Sequence, residues 1–136
     1  MLKTDLWNVW VVNRPMKPLL ANNLKIFLQR FNNFKNAELR SVEVSSPTTI
    51  SVTFAAQDSA RAFNWITITL TFEGVSDAKL IEINKLSFID MSDGISLVCE
   101  TNLIAFSIGS YNSIDAIKNA NLFVISNSLK YQEGQF

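Results

Sequence analysis

FNNFKNAEL, residues 31–39, is where the sequence changes period. Upstream of it, Leu20, Leu24, Phe27, Phe31 and Phe34 recur at i, i+4, i+7, i+11 and i+14, one stripe along an α-helix, while Lys25, Gln29, Arg30, Asn32 and Asn33 lie mostly on the other side. Downstream, apolar residues alternate as in a strand. The spacing predicts an amphipathic helix over 19–34, with an aromatic-rich face suited to packing on a sheet. Asn32 and Asn33 predict its end, since asparagine tolerates the left-handed conformation.

Beyond the junction the sequence reads as strands. Ile50, Val52 and Phe54 alternate with Ser51 and Thr53. Ile66, Ile68, Leu70 and Phe72 alternate with Thr67, Thr69 and Thr71. Both predict one buried and one hydroxylated face. SSPTT (45–49), AAQDSA (55–60) and EGVSDA (73–78) read as turns. Ile81 and Ile83 fall out of phase with Leu86 and Phe88, so a strand here needs a bulge near Asn84–Lys85. In SDGI (92–95), Asp-Gly suits a type I′ hairpin loop. That register sets Phe88 opposite Cys99 and Asp90 opposite Leu97, and buries Cys99 on an apolar face. A reversal at ETN (100–102) precedes a strand in LIAFSIG (103–109). SIDAIKNAN (113–121) reads as a short helix capped by Ser113. LFVISNSLKY (122–131) reads as one last strand and QEGQF (132–136) as a loose tail. LWNVWVV (6–12) reads as a short strand apolar on both faces, carrying Trp7 and Trp10. The expected architecture is α+β: one amphipathic N-terminal helix on an antiparallel meander of six to seven strands, strongly curved if it forms a cup.

The totals set limits on function. At 136 residues, with 48% hydrophobic and 18% charged, the chain reads as a single domain over 1–136. Twelve basic and twelve acidic residues give zero net charge with no basic run, which disfavours nucleic acid as a partner. No stretch is long enough to span a bilayer, and the 6–12 run, interrupted by Asn8 and preceded by Asp5, does not read as a signal peptide. A cytoplasmic location with Cys99 reduced is the expectation. There is no histidine, the commonest general base and metal ligand, and one cysteine excludes an internal disulfide or a thiolate zinc site. Four scattered glycines offer no phosphate cradle. The reading is of a non-enzymatic protein without metal or cofactor.

FKNAEL (34–39), continuing as RSVEV (40–44), resembles the F-H-D-A-E-L signature that opens the sheet in a group of small bacterial proteins described as immunity proteins of polymorphic toxin systems. The likeness continues in TLTFEGV (69–75) and LFVISNSLKYQEG (122–134). It implies a small protein that binds a cognate toxin. Phe34, Ala37, Glu38 and Leu39 match the signature; Lys35 and Asn36 stand where it has His-Asp. A lysine cannot ligate as an imidazole does, so the substitution favours a structural joint over a catalyst. Asn36 can still hydrogen-bond backbone freed at the helix end, and Glu38 can pair with Lys35.

The expected mechanism is occlusion. Candidate partner contacts are Lys35, Asn36 and Glu38 at the junction, the turn acids Asp58, Asp77, Asp90 and Asp93, and Trp65. The acids are read as complementing a basic toxin site, against the alternative that each serves its turn. Trp65 lies out of phase with Ile66 and Ile68, so it is either an outward anchor or covered by the helix. Two rivals stand beside this reading. One is a small-molecule or enzymatic cup between curved sheet and helix. The other is a homo-oligomer joined through an edge strand, against a monomer or weak homodimer.

Overall fold

The structure, a computed structural model, describes residues 15–136. The strand expected at 6–12, with Trp7 and Trp10, lies outside the described residues. In chain order the strands and helices are β1 (Lys17–Pro18), α1 (Leu24–Arg30), β2 (Glu38–Ser46), β3 (Thr49–Asp58), β4 (Asn64–Glu73), β5 (Asp77–Lys79), β6 (Ile95–Glu100), β7 (Leu103–Ile108), α2 (Ile114–Ile117), β8 (Phe123–Ser126) and β9 (Ser128–Gln135). The class is α+β, with the main helix near the N-terminus. The strands divide into two open antiparallel sheets rather than one meander: β1-β9-β4-β3-β2 and β5-β8-β7-β6. No helix among the described residues is long and apolar enough to cross a membrane.

The two cleanest alternations hold. Ile50, Val52 and Phe54 of β3 and Ile68, Leu70 and Phe72 of β4 are buried on one face. On the other, hydroxyls pair across the strands, Ser51 with Thr71 at 3.1 Å and Thr53 with Thr69 at 3.0 Å. The helical stripe packs on the buried face through aromatic contacts. Phe31 meets Phe34 at 5.0 Å, Phe34 meets Phe54 at 5.2 Å, and Phe27 meets Tyr131 of β9 at 4.9 Å. Phe106 of β7 continues the row, 6.2 Å from Phe54 and 5.3 Å from Phe72, and so joins the sheets. Interlocked rings of this kind add about 0.5–1.5 kcal/mol per pair beyond the area they bury. The predicted helix is shortened to α1 with flanking single turns. Leu19, not Leu20, enters the core, because the turn Ala21–Asn23 is 3₁₀ and shifts the phase.

Several local expectations are corrected. Residues 83–88 form a 3₁₀ turn, not a bulged strand; Leu86 is buried while Ile83 and Phe88 are exposed. Asp93–Gly94 is not a hairpin loop. It belongs to a turn closed by Gly94 N–H to the Met91 carbonyl at 3.0 Å, which delivers the chain into β6. The hairpin partner of β6 is β7, so Cys99 faces Ile104 and Leu97 faces Phe106. Thr101 and Asn102, at φ 47° and 62°, make the two-residue loop, as ETN suggested. Cys99 is exposed, because β6 outruns the core after Leu97. The last apolar run splits at Asn127, whose N–H donates to the carbonyls of Glu73 and Gly74 at 3.1 and 3.2 Å. The expected loose tail is the outer half of β9, paired with β4 as far as Gln135 opposite Ile66. The Ser113 cap is present, its hydroxyl accepting the Ala116 N–H at 3.1 Å.

Candidate functional site

The helix ends at Phe31, and the next three residues turn with the opposite hand. Asn32, Asn33 and Phe34 have φ of 53°, 56° and 59°. Phe34 N–H donates to the Phe31 carbonyl at 2.9 Å and Lys35 N–H to that of Asn32 at 3.1 Å. Asparagine takes this conformation readily; a phenylalanine there costs about 1–2 kcal/mol. Complete burial of the Phe34 ring offsets it. Lys35 (φ −62°, ψ 129°) and Asn36 (φ 60°) then form the centre of a type II turn, closed by Ala37 N–H to the Phe34 carbonyl at 3.1 Å. Asn36 occupies the position that needs positive φ. Its N–H donates to the Met91 carbonyl at 2.8 Å. Gly94 lies so close beneath that a Cβ on it would stand 2.0 Å from the Asn33 carbonyl oxygen. The junction is thus a joint, and Asn36 serves it through its backbone.

A second left-handed turn connects β3 to β4. Ala62 and Phe63 have φ of 55° and 63°. Phe63 N–H donates to the Asp58 carbonyl at 2.8 Å, and Gln57 Nε2 donates to the Phe63 carbonyl at 3.3 Å. The Phe63 ring stays 64% exposed. Ser59 Oγ ties this turn to the helix end by donating to the Arg30 carbonyl at 2.8 Å.

Between the two turns lies an ionic network. Asp58 continues the inward phase of Ile50, Val52, Phe54 and Ala56 and is fully buried. Arg30 donates to both its oxygens, Nε to Oδ1 at 2.8 Å and Nη2 to Oδ2 at 2.6 Å, while Asp58 Oδ1 also accepts the Ala60 N–H at 2.9 Å. Glu133 of β9 receives Arg30 at 3.2 Å and Arg61 at 2.7 Å. The Arg30 guanidinium holds the Asp58 carboxyl below its ordinary range against the opposing effect of burial. The same hydrogen bond raises the pKa of Arg30. Asp58 as a surface contact is therefore corrected: strand parity turns it inward, onto a fork that fixes the helix to the sheet.

Lys35, Asn36 and Trp65 line one cleft of about 460 Å³, together with Phe63, Gln29, Asn32 and Gln57. Trp65 faces outward, on the face opposite the helix, and is 40% exposed. It contacts Phe136, rings 5.7 Å apart, and Phe136 lies 4.5 Å beneath the Arg40 guanidinium. Glu38 pairs with Arg40 at 3.3 Å rather than with Lys35. Side chains two apart on a strand share a face, and Lys35 sits in the turn before it. Asp90 Oδ1 accepts the Ser92 N–H at 2.9 Å, which keeps this exposed carboxyl below its usual range; Asp90 and Asp93 flank the Met91 turn without lining the cleft. Asp77 lies apart, exposed on the edge strand β5. The structure thus gathers Lys35, Asn36 and Trp65 and scatters the acids. Phe63 was missed. Among the described residues no cluster of histidine, cysteine or acid side chains is placed to hold a metal.

Compared with known proteins, the chain matches no family model, no curated protein and no solved structure at a significant level.

Proposed function

We propose that this chain is a non-catalytic binding module that associates one-to-one with another protein, and that the partner is a toxin it neutralises by covering the active site, in the cytoplasm of a bacterial cell. The observation that carries the binding reading is the pair of rings, Phe63 and Trp65, exposed on one cleft beside Lys35 and Asn36. Aromatic side chains held out by rigid backbone are what interface hot spots are built from. The toxin is suggested by the FKNAEL resemblance. The cup reading is disfavoured where it was expected, because Phe27, Phe31, Phe34 and Phe54 fill the space between helix and sheet. The edge strand expected to join copies, at the N-terminus, lies outside the described residues; at the described edge β2, two register shifts and the charged residues Glu38, Arg40 and Glu43 discourage edge-to-edge pairing.

The test is co-expression with the product of the adjoining gene. Restored growth of cells making an otherwise lethal protein, together with an equimolar complex by light scattering, supports the proposal. Growth arrest despite abundant folded chain, or a homo-oligomer that persists on dilution and takes up no partner, overturns it.

A further inference from the structure

The two left-handed turns bear their backbone strain differently. At Phe34 the ring is sealed in the core. At Phe63 the same conformation is held while the ring stands mostly in solvent, so no burial within the described residues accounts for it. Strained residues gather at binding and active sites, and Phe63, unlike the exposed Thr101 of the β6–β7 hairpin, stands beside a cleft. The cleft beside it has a definite chemistry. Arg30, which lines it, is already engaged by Asp58 and Glu133. Among the described residues Lys35 has no ion pair and no carboxylate lines the cleft. Counted over the described residues, the site carries one uncompensated positive charge. Asn32, Asn36 and Gln29 are among its lining residues, and a carboxamide, both donor and acceptor, is the side-chain group that matches a main-chain amide. One cation is too few for a phosphate chain.

We propose that this cleft seats an acidic peptide segment of the partner, its carboxylate on Lys35, its main chain on the carboxamides, and an apolar side chain between Phe63 and Trp65. This rests on the binding-module reading and reverses the expected charge pattern: the chain offers the cation and the partner the acid.

The isotope-labelled chain is titrated at millimolar concentration with a blocked Asp-Leu-Phe-Asp peptide, with its counterpart bearing lysine for both aspartates, and with a neutral glucose trisaccharide. Shifts at the Lys35, Asn36 and Phe63 amides and the Trp65 indole with the acidic peptide alone are expected. Lys35→Glu and Phe63→Gly each weaken that binding about tenfold or more. Phe63→Gly does so with an unchanged or higher Tm, since glycine accepts positive φ and little buried ring is lost. An equal response to the lysine peptide, no response at these residues, or a response to the trisaccharide that survives Lys35→Glu overturns the inference. With the full partner, a complex indifferent to both variants overturns the cleft and leaves the binding-module reading standing; absence of any complex overturns both.

Discussion

Residues 31–36 and 58–63 each set a phenylalanine in the left-handed region, and each is tied to its surroundings by backbone hydrogen bonds. They differ in where the ring goes. Phe34 enters the aromatic row that links α1 to both sheets; Phe63 points out beside a cleft. One strained residue returns its cost through a buried ring, while the other is held by the Asp58 carbonyl and the Gln57 side chain with its ring left outside. Backbone strain by itself therefore does not say what a turn is for.

The sharpest way to break this contrast is Phe34→Ala. Loss of a fully buried ring is expected to lower stability by about 3–5 kcal/mol in chemical denaturation. A loss under about 1 kcal/mol would make the two turns alike.

Next in size is Arg30→Met, expected to cost about 2–3 kcal/mol, at the low end for a buried pair because Arg30 itself is partly exposed. The pH dependence follows from the lowered Asp58 carboxyl. Its contribution is fully present above the unfolded value, about pH 4, and is lost as pH falls through the lower folded value. In Arg30→Met burial is opposed only by Arg61 and the Ala60 N–H, so the acid transition should begin at higher pH, read by urea melts from pH 3 to 7.

Asn36→Ala should cost about 1 kcal/mol and Asn36→Gly almost nothing, since the requirement is a positive φ rather than a side-chain contact. Equal losses would show that the carboxamide matters to the fold. The smallest effect has the opposite sign: Phe63→Gly should leave stability unchanged or raise it by up to about 1 kcal/mol in thermal melts. A clear loss would mean that the ring packs in solution.

How much was legible in the sequence follows the strength of each period. The β3 and β4 alternations and the Phe27–Phe31–Phe34 stripe were plain, because burial on one face writes itself directly into residue order. Extending the β3 alternation by two steps would also have turned Asp58 inward; its place beside a turn hid that. Residues 83–88 misled because apolar residues on a 3₁₀ turn at the surface imitate a broken strand, and Ile83 and Phe88 are in fact exposed. The reversal at Thr101–Asn102 that pairs β6 with β7 was legible, but Asp-Gly also reads as a hairpin turn and suggested a second partner at 81–90; the packing of Gly94 under Asn33, which makes that turn part of the joint, has no sequence signature. Phe63 left no signal: a positive φ on phenylalanine has no sequence signature. The cleft was half visible, through Lys35, Asn36 and Trp65, but nothing local tells that residues some thirty positions apart share a wall.

The division of the last strand run at Asn127 has its own consequence. β8 lies inside one sheet, between β5 and β7, and β9 inside the other, between β1 and β4, yet they are consecutive in the chain. Neither layer can be completed while this stretch is free, and withdrawing it opens both. Here the two sheets are therefore joined through the single residue Asn127, and each receives an inner strand only when the last part of the chain is in place.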